Sequence, residues 1–149
     1  MDIQSHLKML QVRKLIDEQI VEIVFNAQDH LAQHWHVDVN TMQVQTLLVH
    51  LANALGRIKR QHCASPLHKD FQIKIQSAVC FPVVSAMHQD ILDLIPFPIP
   101  DNEQTYFLAN YYSLLLDQPD ILKNSISCCR LRHTNRIGCY SFEIFNAFA

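Results

Sequence analysis

The sequence predicts an all-α fold, a single five-helix bundle, and three observations carry the prediction. Only two glycines, Gly56 and Gly138, occur in 149 residues, and β-hairpin turns draw heavily on glycine. The helix breakers are widely spaced and separate long segments. Within those segments apolar residues recur at threes and fours, the period of one helix face. The length suits one domain with one sizeable core. A hydrophobic fraction of 49% against 17% charged residues is a globular composition.

The first helix is expected from about Asp2 to Ala32, where Leu7, Leu10, Lys14, Val21, Val24, Phe25 and Leu31 keep the helical period. It ends in HWHVDVN, where Val37 and Val39 break the pattern. Asn40 or Thr41 can cap the second helix, because either side-chain oxygen can accept from an orphan amide. Gln43 stands three residues after Asn40, a capping-box spacing. The apolar stripe of this helix is Val44, Leu47, Leu48, Leu51, Ala54, Leu55 and Ile58, and Lys59 and Arg60 close it where cations suit the helix dipole. The segment CASPLHKD is a loop, followed by a short helix from about Asp70 to Val79. Pro82 opens a fourth helix at a first-turn position, where its missing amide does no harm. That helix carries Val84, Met87, Ile91 and Leu94. IPFPIP is an extended connector. Asp101 can cap the fifth helix, with Gln104 three residues on, and the helix should end near Asp117.

The bundle is thus expected over residues 1–120. Residues 121–149 form a C-terminal tail without a strong period, docked on the bundle or partly disordered. Cys128, Cys129, Arg130, Arg132, His133 and Arg136 make this tail locally basic. It reads as an exposed terminus or as a contact for an anion or partner.

A formal net charge of −2 does not point to direct binding of nucleic acid or of an anionic membrane. The N-terminal MDIQSHLKML lacks the basic and apolar regions of a signal peptide. No apolar run approaches the length of a membrane span, so a soluble, cytoplasmic protein is expected. The five cysteines are irregularly placed and match no CxxC zinc pattern. Free thiols follow in a reducing compartment.

Two motifs then carry a family resemblance. The run LLVHLANALGRI, Leu47 to Ile58, resembles the first signature of the PTS regulation domain. Such domains are five-helix modules of bacterial antiterminators and activators controlled by the sugar phosphotransferase system. The matching features are an apolar pair, the histidine-leucine His50-Leu51, and Arg57 seven residues after the histidine. The run IPFPIPDNEQTYFLANYY, Ile95 to Tyr112, resembles the second, with Glu103 opening the last helix and Tyr106 three residues on. The family's second histidine is replaced by Asn110, which can hydrogen-bond but cannot carry a phosphate on nitrogen. The resemblance spans roughly residues 5–117.

The resemblance implies a regulatory module rather than an enzyme, with no cofactor. His50 would be the single phosphorylation site. The donor would be a phosphocarrier protein or a sugar permease subunit of the phosphotransferase system. The module would act on a transcriptional regulator or on a second copy of itself, as a homodimer. Arg57 and Gln43 would neighbour the phosphate, since both lie on the flank of the helix that holds His50. The chain reads as this domain and little else, with no helix-turn-helix or RNA-binding module ahead of it.

Other readings stay open from the residues themselves. His50 can be a half-buried histidine bonded to a neighbour, leaving a pure interaction module that should expose an apolar patch. Arg57 can pair with Glu103 or with Asp90. Gly56, in mid-helix, costs about 1 kcal/mol against alanine and suggests close packing of another helix against its backbone. His30 and His34, four residues apart, share a helix face and form a possible metal pair. No glutamate follows His30, so this is not the HExxH motif, and a third ligand such as Glu22 or Asp29 needs help from the fold. A solvated or partly packed histidine face is the alternative, and His62, His68 and His88 read the same way. No metal site, Ser-His-Asp arrangement, phosphate-cradling glycine loop or dinucleotide fingerprint is assigned.

Overall fold

A computed structural model describes residues 2–123 of the chain. Among the described residues the fold is all-helical. The helices are α1 (Ile3–Val12), α2 (Glu18–Gln33), α3 (Met42–Lys59), α4 (Lys69–Gln76), α5 (Phe81–Asp93) and α6 (Asp101–Asp117). A further helical turn begins at Asp120. The five-helix expectation is therefore corrected: one predicted helix is two, and the chain turns helical again after α6. The basic cysteine-containing run 128–136 lies outside the described residues. Ile121 and Leu122, the first residues of the expected tail, are buried in the core.

The long first helix breaks at residues 13–17 because the chain closes a Schellman turn there. Lys14 takes a left-handed φ of 59°. Its amide donates to the Gln11 carbonyl at 2.8 Å, and the Leu15 amide donates to the Leu10 carbonyl at 2.9 Å. Asp17 then caps α2, accepting from the Ile20 amide at 2.9 Å. The apolar period survives the break, with Leu7, Leu10, Ile16, Ile20 and Ile23 all buried, which is why periodicity alone bridged it. A second turn of the same kind ends α3, where Gln61 has a φ of 60°. The Gln61 and His62 amides there bond the Ile58 and Arg57 carbonyls at 3.0 and 2.9 Å.

Helix α3 is the spine of the bundle. It packs against α1, α2 and α6, while α4 and α5 pack on α6. Its stripe Val44, Leu47, Leu48, Leu51, Ala54 and Leu55 is buried as expected, together with Ala52 and Gly56. Fully burying one such leucine contributes about 1.5–3 kcal/mol. Thr41, not Asn40, caps α3, accepting from the Val44 amide at 3.3 Å. The start of α6 differs from expectation: Pro100 takes the cap position without a side-chain bond, and Asp101 falls inside the first turn. The carboxylates of Asp101 and Glu103 there suit the positive end of the helix dipole. Gln118 ends α6 by bonding the backbone of Asp38 in both directions, at 2.9 Å each, so the α2–α3 loop is tied to the end of α6.

Gly56 has its explanation in the α1–α2 turn. A Cβ at this position would fall on the Leu15 carbonyl oxygen and lie 3.3 Å from Ile16 Cγ2. That carbonyl also accepts from the Arg60 guanidinium. The approaching segment is a turn rather than a helix.

His88 is not on a solvated edge. It is buried against Phe107 and Tyr111. Its Nε2 meets Gln104 Oε1 at 2.9 Å, while Gln104 Nε2 donates to the Ile99 carbonyl at 2.8 Å. The amide is thereby oriented, so Nε2 is the protonated nitrogen and Nδ1 is buried without a partner. Burial pushes its pKa down, only partly offset by the bond to Gln104.

Candidate functional site

Helices α3 and α6 run side by side and leave a groove of about 550 Å³ between them. Its walls are set by helical spacing. From α3 come His50, Asn53, Ala54 and Arg57, and from the residue that caps its end Arg60, spaced by threes and fours or one apart; from α6 come Tyr106, Phe107, Ala109 and Asn110. Four of the residues singled out from the sequence, His50, Arg57, Tyr106 and Asn110, therefore meet in one place. Gln43 does not line this groove, being two helical turns N-terminal of His50. Asn53 and Arg60 do, and their signal was present in the sequence: each lies three residues after a residue already on that face.

The floor at one end is an ion pair. Glu103 is fully buried. Arg57 Nε and Nη2 donate to its two carboxylate oxygens at 3.1 and 3.0 Å, and the Ala64 amide donates to Oε1 at 2.8 Å. Burial opposes ionisation of this carboxyl, but the bonds from Arg57 and Ala64 and the Arg57 charge outweigh it and hold its pKa below the usual range. The fork of Arg57 matches a carboxylate in the bidentate way that lysine cannot. The Ala64 contact also fastens the loop after α3 to α6, helped by the Leu67 amide donating to Thr105 Oγ1 at 3.0 Å. Of the two structural partners considered for Arg57, Glu103 holds it and Asp90 is elsewhere.

The rim is His50, whose side chain is exposed, facing Asn110 across the groove. Asn110 Nδ2 donates to the Tyr106 carbonyl at 3.0 Å, one turn back on α6. Since an amide nitrogen only donates, Oδ1 is turned towards His50 and meets its Nδ1 at 3.4 Å, a long bond. In the neutral ring this contact favours the proton on Nδ1 and the lone pair on Nε2.

An all-helical domain with a solvent-facing histidine, a lodged arginine and a buried glutamate at these spacings is the class of protein defined here. The PRD domain family model matches residues 6–113. The chain belongs to the PRD domain family, the PTS regulation domains. It is similar to an uncharacterized protein of Haemophilus influenzae, 47% identical over 117 residues, 78% of this chain and 94% of the relative. It is also similar to the uncharacterized protein YhfY of Escherichia coli strain K12, 25% identical over 111 residues, 74% of this chain and 92% of that protein. No solved structure matches. No helix among the described residues is long and apolar enough to cross a membrane.

Proposed function

We propose that this chain is a regulatory module of the sugar phosphotransferase system that accepts one phosphate, on Nε2 of His50, and acts through protein contacts in the cytoplasm. The observation that carries the reading is the exposure of His50 at the rim of a groove that also holds Arg57 and Arg60. A phosphoryl donor needs access to an unprotonated ring nitrogen, and in the neutral tautomer that the Asn110 contact favours this is Nε2. The two guanidinium groups place positive charge along the groove in which a phosphohistidine would sit. Asn110, standing where the resemblance expects a second histidine, limits the module to one phosphate. The donor is a phosphocarrier protein or permease subunit, and the receiver a transcriptional regulator. The test is phosphotransfer from phosphoenolpyruvate through the first phosphotransferase enzyme and the phosphocarrier, with and without a permease subunit, read by intact mass at mildly basic pH. One acid-labile phosphate, absent in His50→Ala, is expected. A phosphate that persists in His50→Ala, or none from any cognate donor, refutes the proposal.

A second reading, a homodimeric interaction module, draws on the outer surface of α4. Phe71 and Ile73 are 58% and 59% exposed there, and only Ile75 of this helix is buried. Two large apolar side chains left exposed on one short helix suit a protein contact. A mass in solution that falls from dimer to monomer on Phe71→Ser with Ile73→Ser supports it, and a monomeric parent protein rules it out.

A further inference from the structure

We infer that His30, His34 and Asp90 form a binding site for one divalent transition-metal ion of the zinc class, on the α2–α5 face and away from the His50 groove. The two histidines lie four residues apart on α2 and at its end, so their rings project from one face. The rings are stacked, 4.9 Å between centroids and 14° between planes. Both present Nε2 to the same oxygen of Asp90 on α5: His30 at 2.9 Å and His34 at 3.8 Å. The three donor atoms all lie within 4.8 Å of one another. A tetrahedral ion with bonds of about 2.0–2.1 Å needs donors roughly 3.3 Å apart, a spacing that falls between the two measured contacts. The carboxylate is supplied by α5 and not by Glu22 or Asp29, so only the folded chain completes the set.

The surroundings are those of a metal site. Trp35 Nε1 donates to Asp90 Oδ2 at 2.9 Å, holding the carboxylate from outside the donor set. The Trp35 indole also packs edge-on against His34, 5.3 Å between centroids. All three donor side chains are about one-third exposed, at 29%, 35% and 32%. An ion and a completing water can therefore reach them. Two imidazoles and one carboxylate are a borderline donor set, suited to Zn²⁺, Co²⁺ or Ni²⁺ over Mg²⁺ or Ca²⁺. On binding, coordinate bonds form from both Nε2 atoms and a carboxylate oxygen. Each imidazole ligates as the neutral ring with its single proton on Nδ1: a ring that starts with that proton on Nε2 moves it to Nδ1 through solvent with none released, a ring that starts as imidazolium releases one to solvent, and no electron is transferred.

The experiment titrates the full chain with Co²⁺ and Zn²⁺, reading the cobalt visible bands, calorimetric affinity and the thermal midpoint with and without ion. The expected result is one ion per chain, a cobalt spectrum without the thiolate charge-transfer band, and a midpoint raised by Zn²⁺. His34→Ala should weaken binding at least about tenfold, and Trp35→Phe, which removes only the outer donor, by about tenfold. The His34 ring meets Asp90 only at 3.8 Å, while His30 meets it at 2.9 Å, so truncating the His34 side chain leaves the His30–Asp90 contact in place. Asp90→Asn is the second variant, in case either of these fails to fold. Equal affinities for parent and folded variants, a thiolate band from the cysteines, or no binding at all would overturn the inference.

Discussion

Removing Arg57 should cost far more than removing a surface arginine, because it strands Glu103. The carboxylate has no exposure and three donors, two of them from Arg57. Breaking a buried ion pair from one side typically costs about 3–5 kcal/mol. Arg57 itself is 35% exposed, so water screens part of that loss and about 2 kcal/mol is expected. Glu103→Gln should cost a similar amount, since its amide nitrogen would face a guanidinium that can only donate. The double variant should cost little more than either single one, leaving a coupling of roughly 1.5 kcal/mol. In urea at pH 7, with a slope of about 1–3 kcal/mol per molar, each single variant should lower the midpoint by roughly 1 M. Acid provides a second reading. The folded pKa of Glu103 lies below its unfolded value, so the folded state binds the proton later than the unfolded state. The contribution is complete above the unfolded value of about 4.3 and is lost as pH falls through the folded one. The gap between parent and Glu103→Gln should therefore close at the acid end. Single-variant costs that add to within about 0.5 kcal/mol would mean the two side chains do not act on each other in solution, and the reasoning would fail.

Three further outcomes follow from the packing. Gly56→Ala should destabilise by about 1–3 kcal/mol in chemical denaturation, although alanine is the better helix former, because its Cβ meets the Leu15 carbonyl. A neutral or stabilising result would mean that the α1–α2 turn does not lie against α3. Gln61→Gly should stabilise by about 0.5–1 kcal/mol, since a left-handed residue costs about 1–2 kcal/mol and the unfolded-state entropy of glycine offsets part of the gain. His88 carries a depressed pKa in the folded state, so below the ordinary value of about 6.5 the unfolded chain takes up the proton first. Its share of stability is whole above that pH and declines as pH falls towards the folded value. A midpoint measured across this window should slope down towards acid in the parent and flatten in His88→Phe.

Much of the fold was legible because the apolar stripes of α3, α5 and α6 are uninterrupted and their ends are marked by Thr41, Pro82 and Asp117. The α1–α2 break was hidden because its turn uses Lys14 in place of glycine and keeps the apolar residues in phase across it. One local signal was available: Lys14 sits where the stripe calls for an apolar residue, and Asp17-Glu18 reads as a helix start. At the groove, the family resemblance singled out His50, Arg57, Tyr106 and Asn110, and the packing of α3 on α6 brings them together. The Ala64 amide could not be foreseen, because its role depends on how a loop lies against α6. Nor could Asp90, which meets His30 from 60 residues away.

Arg57 belongs to two layers of the site, and their energies are unequal. Below, it neutralises a carboxylate with no access to water; above, it lines a groove open to solvent. Drawing the guanidinium away from Glu103 would leave that charge with the Ala64 amide alone, at a cost of a few kcal/mol. A phosphate on exposed His50 is hydrated, and a surface ion pair returns only about 0–1 kcal/mol. Phosphorylation of His50, as proposed, would therefore leave Arg57 in the fold. The arginine would act on such a phosphate through a fixed field and whichever of its five N–H groups the carboxylate leaves unused. On the proposed reading, a phosphate that leaves Arg57 in place would have to signal outward. The change would be a charge of about −1.5 to −2 added to the α3–α6 edge, where an approaching protein would meet it and the helices beneath would stay in place.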